Sequence, residues 1–268
     1  LGRILVGTSG FQYRHWRGVL YPEGLPQSRW LARYAEVFAT VELNATFYRL
    51  PTPAAVDRWR EGTPRSFLFA VKGSRYLTHV KRLRDARPSL RRFFGPVLRL
   101  GPKLGPVLWQ LPPQMKADVD RLQAFLRCLT REARHAFEFR NETWYTEGVC
   151  ALLDRHGVAL CEHDLLEARP PRPCGGFRYL RFHGASARYG GRYGREALCP
   201  AAEDLQRWRR RGDAYAYFNN DLGGCAVRDA LDLLALLGEE RGGRRKSSSS
   251  GRSVPSADPG SLGGLESP

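Results

Sequence analysis

The chain has 268 residues, 42% of them hydrophobic, with a formal net charge of +16. That composition supports one large domain or two small ones, and no run of about 18 apolar residues is present to form a transmembrane helix, so no membrane partner is expected. Six scattered cysteines, with no CxxC pair and no Cys/His ligand spacing, point away from structural zinc and toward a reducing, cytoplasmic setting.

The start, Leu1 to Val6, has no Met and no signal-type apolar region, and reads as a strand of a trimmed or partial chain. A first strand over residues 3–8 runs into Gly7-Thr8-Ser9-Gly10. A loop with Tyr13, His15, Trp16 and Tyr21 follows, then a helix over 28–38 with Ser28 as its cap. Residues 40–44 alternate, with Val41 and Leu43 opposite Thr40, Glu42 and Asn44, which is the period of a strand. A helix from Pro53 leads to a third strand at 67–72. Residues 75–103 form a basic connection, with nine Lys or Arg against Asp85 alone, and hold a helix near 89–100. A fourth strand covers 106–111, and a helix over 118–129 follows, with a stripe of Val119, Leu122, Phe125, Leu126 and Leu129. A fifth strand covers 135–140, and a helix over 146–156 ends at Gly157. Strand six is 158–164. The prolines of 170–173 stand where the next helix would be short or missing. Strand seven is 177–183, strand eight 214–220, with helices over 201–211 and 224–237. From 240 to 268 Gly, Ser, Pro and charge dominate, which reads as a disordered tail behind a domain of residues 1–239.

Eight strands alternating with helices give a TIM-type (β/α)8 barrel, an α/β fold in one domain. A doubly wound sheet is the alternative, but the turn after strand one is neither GxGxxG nor a Walker loop. Barrel sites form at the C-terminal strand ends. Here the strands carry their polar residues toward their C-terminal ends. On strand five Phe137 and Phe139 oppose Glu138 and Arg140; on strand seven Leu180 and Phe182 oppose Tyr179, Arg181 and His183. The aromatic and branched faces suit the helix layer, and the polar faces line the barrel.

The chemistry on offer is acid–base work and anion binding. Glu42, Glu138 and His183 are the candidate catalytic groups. Lys72, Arg140, Arg181 and His79 would bind a small anionic or phosphorylated substrate, with Asn44, Gln110, Asn219, Asn220 and Asp221 orienting it. Ion pairs, Glu42 with Lys72 and Glu138 with Arg140 or Arg181, are the competing expectation, in which the charges only fill the barrel of a non-enzymatic scaffold. A divalent metal would draw on Asp164, Asp221, Glu42 and His183, and no spacing supports it; the cofactor stays open. The loop at 188–195 offers Arg188, Arg192 and Arg195 on glycine hinges, which fits nucleic acid as an alternative partner.

Several strings together resemble one known family. They are Gly7-Thr8-Ser9-Gly10-Phe11, Thr40-Val41-Glu42-Leu43-Asn44-Ala45-Thr46-Phe47-Tyr48-Arg49, Thr78-His79, Gln110-Leu111-Pro112-Pro113, Glu138-Phe139-Arg140, Arg181-Phe182-His183-Gly184 and Tyr217-Phe218-Asn219-Asn220-Asp221. This pattern is similar to the YecE-like family of unknown function, over roughly residues 3–237. The resemblance implies a single TIM-like barrel and supplies no reaction. Asp229 stands where that family usually has Asn.

Overall fold

A computed structural model describes residues 1–186 and 189–247. Eight parallel strands, β1 (Ile4–Thr8), β2 (Thr40–Leu43), β3 (Leu68–Lys72), β4 (Leu104–Gln110), β5 (His135–Glu138), β6 (Ala159–His163), β7 (Arg178–Phe182) and β8 (Ala214–Phe218), pair in the order β1-β8-β7-β6-β5-β4-β3-β2. The helices between them are α1 (Trp30–Val37), α2 (Ala45–Tyr48), α3 (Pro53–Glu61), α4 (Ala86–Val97), α5 (Val119–Leu126), α6 (Glu147–Arg155), α7 (Gly194–Trp208) and α8 (Cys225–Ser247). This is a TIM-type barrel. All eight strands fall where the sequence places them. The helix starts are set by local chemistry: Thr52, Asp118 and Thr146 accept from Ala55, Arg121 and Val149 amides, and Pro53 sits where no amide partner is needed.

The alternation sorts the two faces. Leu5, Leu68, Ala70, Leu108, Ala136, Ala159, Cys161, Tyr179 and Tyr217 fill the barrel interior, while Val41, Phe69, Val71, Trp109, Phe137, Phe139 and Phe218 pack under the helices.

The ring closes between β1 and β2 with a single backbone bridge, Ser9 to Glu42, and the Gly10 amide donating to the Glu42 carbonyl at 2.8 Å. Below it a side chain completes the seam. The Tyr34 hydroxyl on α1 accepts from the Thr8 amide at 2.9 Å and lies 3.1 Å from the Thr40 carbonyl, to which it donates. Gly7 makes this approach fit: a Cβ there would lie 2.2 Å from the Thr40 carbonyl oxygen.

Two connections depart from the sequence expectation. A short helix, α2, directly follows β2, and α7 begins at Gly194 with Pro200 inside it. Between β6 and β7 no helix lies among the described residues; Arg172 straps the proline-rich link onto α6 through Glu147 at 3.1 Å and Asp154 at 2.6 Å. The backbone of α8 runs to Ser247, and the rest of the Ser-rich tail, residues 248–268, lies outside the described residues. No helix among the described residues is long and apolar enough to cross a membrane, and all six cysteines are unpaired.

Candidate functional site

The C-terminal ends of β2, β5 and β7 bring Glu42, Glu138 and Arg181 together inside the barrel, all essentially without solvent exposure. Each faces inward because it shares the alternating face with small or aromatic interior residues. Arg181 bridges the two carboxylates: Nη2 lies 2.7 Å from Glu42 Oε1 and Nη1 lies 2.5 Å from Glu138 Oε2. The remaining oxygens are also taken. Glu42 Oε2 accepts from the Tyr179 hydroxyl at 2.6 Å, its Oε1 also accepts from Ser9 Oγ, and Glu138 Oε1 accepts from Arg140 Nε at 2.5 Å. Burial by itself would raise the Glu138 pKa; the Arg181 and Arg140 guanidiniums outweigh it and hold the carboxyl well below the usual range.

The expected Glu42–Lys72 ion pair is not formed. Arg181 reaches Glu42 from across the barrel with a planar fork that serves two carboxylates at once, which a point ammonium cannot do. Lys72 instead lies at the rim with Nζ 4.4 Å from the centroid of the Phe47 ring, and has no ion pair among the described residues. Burial, then the nearby Arg181 charge, push its pKa down to about 8. The other expected pairs, Glu138 with Arg140 and with Arg181, are both present.

Beside this network stands His183. Its Nδ1 lies 3.1 Å from Asn219 Nδ2, so the amide donates to it and the ring proton falls on Nε2. Burial and Arg181 lower its pKa to about 4, which keeps the ring neutral. Nε2 is 3.6 Å from Glu138 Oε1, too far for a hydrogen bond. Among the described residues four buried side-chain atoms lack a partner: Asn44 Oδ1, Arg181 Nε, His183 Nε2 and Asn220 Oδ1. All four belong to the C-terminal end of the barrel. Gln110, at the end of β4, is not one of these, though its side chain makes no hydrogen bond among the described residues.

The other candidates are placed differently. Asn44 donates to Ser9 Oγ at 2.7 Å. His79 stacks edge-on against Phe47 at 5.1 Å, accepts or donates at Thr78 Oγ1, and is lowered to about 4 by burial and then by Lys72. Asn220 turns to the Gly191 carbonyl at 2.9 Å and Asp229 at 2.7 Å. Asp221 holds Trp16 Nε1 at 2.6 Å and His15 Nε2 at 2.9 Å. Asp164 accepts from the His183 amide at 2.9 Å and from the Tyr193 hydroxyl. These carboxylates therefore do not converge, and among the described residues no group of three His, Cys, Asp or Glu is placed to hold a metal ion. Arg192 pairs with Asp229 and Asp232, and Arg195 with Glu239, all on α8; Arg188 lies outside the described residues. Asp229, in the position where the resembling family usually has Asn, is fully buried and accepts from the Tyr193 and Gly194 amides at the start of α7.

Three groups of the network stand outside the candidates drawn from the sequence. Ser9 and Tyr179 anchor Glu42, and Tyr189 in the following loop has its hydroxyl 3.2 Å from Arg140 Nη1 and its ring 5.7 Å from that of His183. The alternation put Tyr179 on the polar face beside Arg181, which was the available signal.

Comparison with known proteins agrees with this architecture. A family model described as "Protein of unknown function DUF72" matches residues 5–253. The UPF0759 protein YecE of Escherichia coli (strain K12) is 32% identical over 136 residues, a match that covers 47% of this chain and spans only 50% of that relative's length. The UPF0759 protein YunF of Bacillus subtilis (strain 168) is 26% identical over 261 residues, covering 84% of this chain and 92% of the relative. A solved DUF72 family protein from Thermotoga maritima superposes with a TM-score of 0.79 at 30% identity, covering 88% of this chain and 99% of that one. One from Enterococcus faecalis, at 18% identity, shares the fold with a TM-score of 0.73 over 97% of this chain and 100% of that one.

Proposed function

The chain belongs to this family of uncharacterised proteins, the DUF72 family, and from that premise we propose that it is an enzyme doing acid–base chemistry on a small anionic substrate at the C-terminal mouth of the barrel. The observation that carries the reading is the group of unpartnered buried atoms at that mouth, Asn44 Oδ1, Arg181 Nε and His183 Nε2. Buried polar groups without partners are costly, and a substrate supplies the missing ones.

Charge sets the sign of the ligand. Lys72, Arg140 and Arg181 face Glu42 and Glu138, three cations to two carboxylates, while burial keeps His79 and His183 neutral. Within that set one positive charge is left over, on Lys72, while Asp164 nearby is held by the His183 amide and the Tyr193 hydroxyl. A carboxylate or phosphate neutralises the charge on Lys72.

The roles follow from titration and geometry. Lys72, with a pKa near 8, is the group that exchanges a proton close to neutrality and the group that meets the anion. His183 offers a neutral Nε2–H donor that no described residue accepts. Glu42 and Glu138 stay saturated by donors and act as positioning residues that lock Arg181. Gln110 and Asn44 orient the substrate. Hydrolysis, elimination and isomerisation all draw on such a set.

The test is a thermal-shift screen of small carboxylates, phosphosugars and nucleotides. A ligand at 100 times its Kd stabilises by about 2.7 kcal/mol. A hit that is lost in Lys72→Met and in His183→Gln supports the reading. A hit that stabilises both variants as well as the wild type removes it.

A further inference from the structure

The loop after Lys72 differs from the rest of the mouth. Tyr76–Val80 form a π-helical turn, and Arg82, Leu83 and Asp85 follow with φ of 47, 71 and 46 degrees. Left-handed backbone at residues other than glycine costs free energy at each position, and π turns and strain of this kind gather where ligands are held. The same loop and the short helix α2 beside it carry Tyr48, Tyr76 and Val80, three of the seven large apolar side chains exposed among the described residues. Side chains normally withdrawn from water are thus concentrated beside Lys72, which has no ion pair among the described residues.

Tyr48 and Tyr76, with Leu50, Leu77, Phe93 and Arg92, bound a cavity of about 400 Å3. It adjoins the anion site through a single ring. Lys72 Nζ lies 4.4 Å from the Phe47 centroid, and the Tyr48 ring packs edge-on against that same ring at 4.9 Å.

We propose that this cavity holds the base of a nucleotide whose phosphate lies at Lys72. The inference rests on the anion-binding reading of the mouth. The lining selects the class. Two tyrosine rings offer flat faces for stacking. Arg92 is exposed and in no ion pair among the described residues, and its fork matches the two acceptors, O6 and N7, on a guanine edge. Besides Arg92 the polar lining is only Ser74 and Ser89, with no Asp, Glu, Asn or Gln, so the carboxylate and amide groups that bind a sugar's hydroxyls in pairs are missing. An alkyl chain would leave Arg92 without a role.

Calorimetric titration of the full chain with inorganic phosphate, ribose 5-phosphate and guanosine 5′-monophosphate tests it. The nucleotide binds about ten-fold tighter than ribose 5-phosphate, the size of one base–aromatic stack. Tyr48→Ala and Tyr76→Ala remove that advantage and leave ribose 5-phosphate binding unchanged, while Lys72→Met weakens both ligands. Equal binding of the two ligands by the wild type, or an advantage that survives both tyrosine variants, overturns the base-binding cavity and leaves the anion site standing. If none of the three ligands binds, the nucleotide inference falls, and the carboxylates of the thermal-shift screen decide the anion site alone.

Discussion

Glu42 and Arg181 lie 139 residues apart and meet at 2.7 Å between Oε1 and Nη2. The contact crosses from β2 to β7, strands that are not neighbours in the sheet. Arg181 continues to Glu138 on β5, so one guanidinium ties three strands at the level of the site.

Replacing that guanidinium leaves two fully buried carboxylates facing each other. Arg181→Met is expected to cost about 3–5 kcal/mol, read from urea unfolding. The triple variant with Glu42→Gln and Glu138→Gln recovers part of the loss, because the uncompensated charges go with the arginine. A single-variant loss below about 1 kcal/mol would contradict a locked network.

Lys72 has the opposite balance. It is a partly buried charge with no carboxylate partner, so Lys72→Met raises stability by about 1 kcal/mol at pH 7. The folded pKa is about 8 against the usual 10.5. Below pH 8 both folded and unfolded chains carry the proton and the cost is complete. From pH 8 to 10.5 the unfolded chain binds more protons, so wild-type stability rises relative to the variant and the difference vanishes. Anion affinity runs the other way and falls as pH rises through 8. Melting and binding curves across pH 6–11 check both slopes.

His183 is neutral in the fold with a pKa near 4 against its usual 6.5. Above pH 6.5 it contributes no pH dependence. Between 6.5 and 4 the unfolded chain takes up a proton that the folded chain refuses, so stability falls as pH falls, by roughly 2–3 kcal/mol at the lower end. His135, also near 4, does the same, so the measurement is the difference between wild type and His183→Gln. That difference narrows toward pH 4; parallel curves would refute the buried neutral ring.

At the seam, Tyr34→Phe deletes the hydroxyl between the Thr8 amide and the Thr40 carbonyl. The expected cost is about 2 kcal/mol. Hydrogen exchange of the Thr8 amide should speed up more than that of β7 amides, which locates the loss at the seam.

Strand positions were legible because period two is a local property: Phe69 and Val71 go outward, Ala70 and Lys72 inward, whatever surrounds them. Which end of the barrel collects the polar groups was legible for the same reason. Partner choice was not. Lys72 sits on the strand next to Glu42, yet Arg181 takes the carboxylate, because reach across a closed ring depends on side-chain length and planar donor geometry. The seam hydroxyl of Tyr34 was hidden because it comes from a helix whose own pattern reads only as apolar packing. Arg192 and Arg195 read as free cations in a loop; their acids lie on α8, more than thirty residues later.

The proline-rich link between β6 and β7 has a meaning for how such a chain changes over time. Where other strands are joined by helices that the core needs, this crossing is a strap fastened mainly by Arg172. Residues 170–173 are exposed or half-buried, so added sequence at that point displaces no core side chain, while Asp164 at the start of the crossing keeps its hold on the His183 amide. It is the crossing at which this barrel can take up an extra segment at least cost to its core.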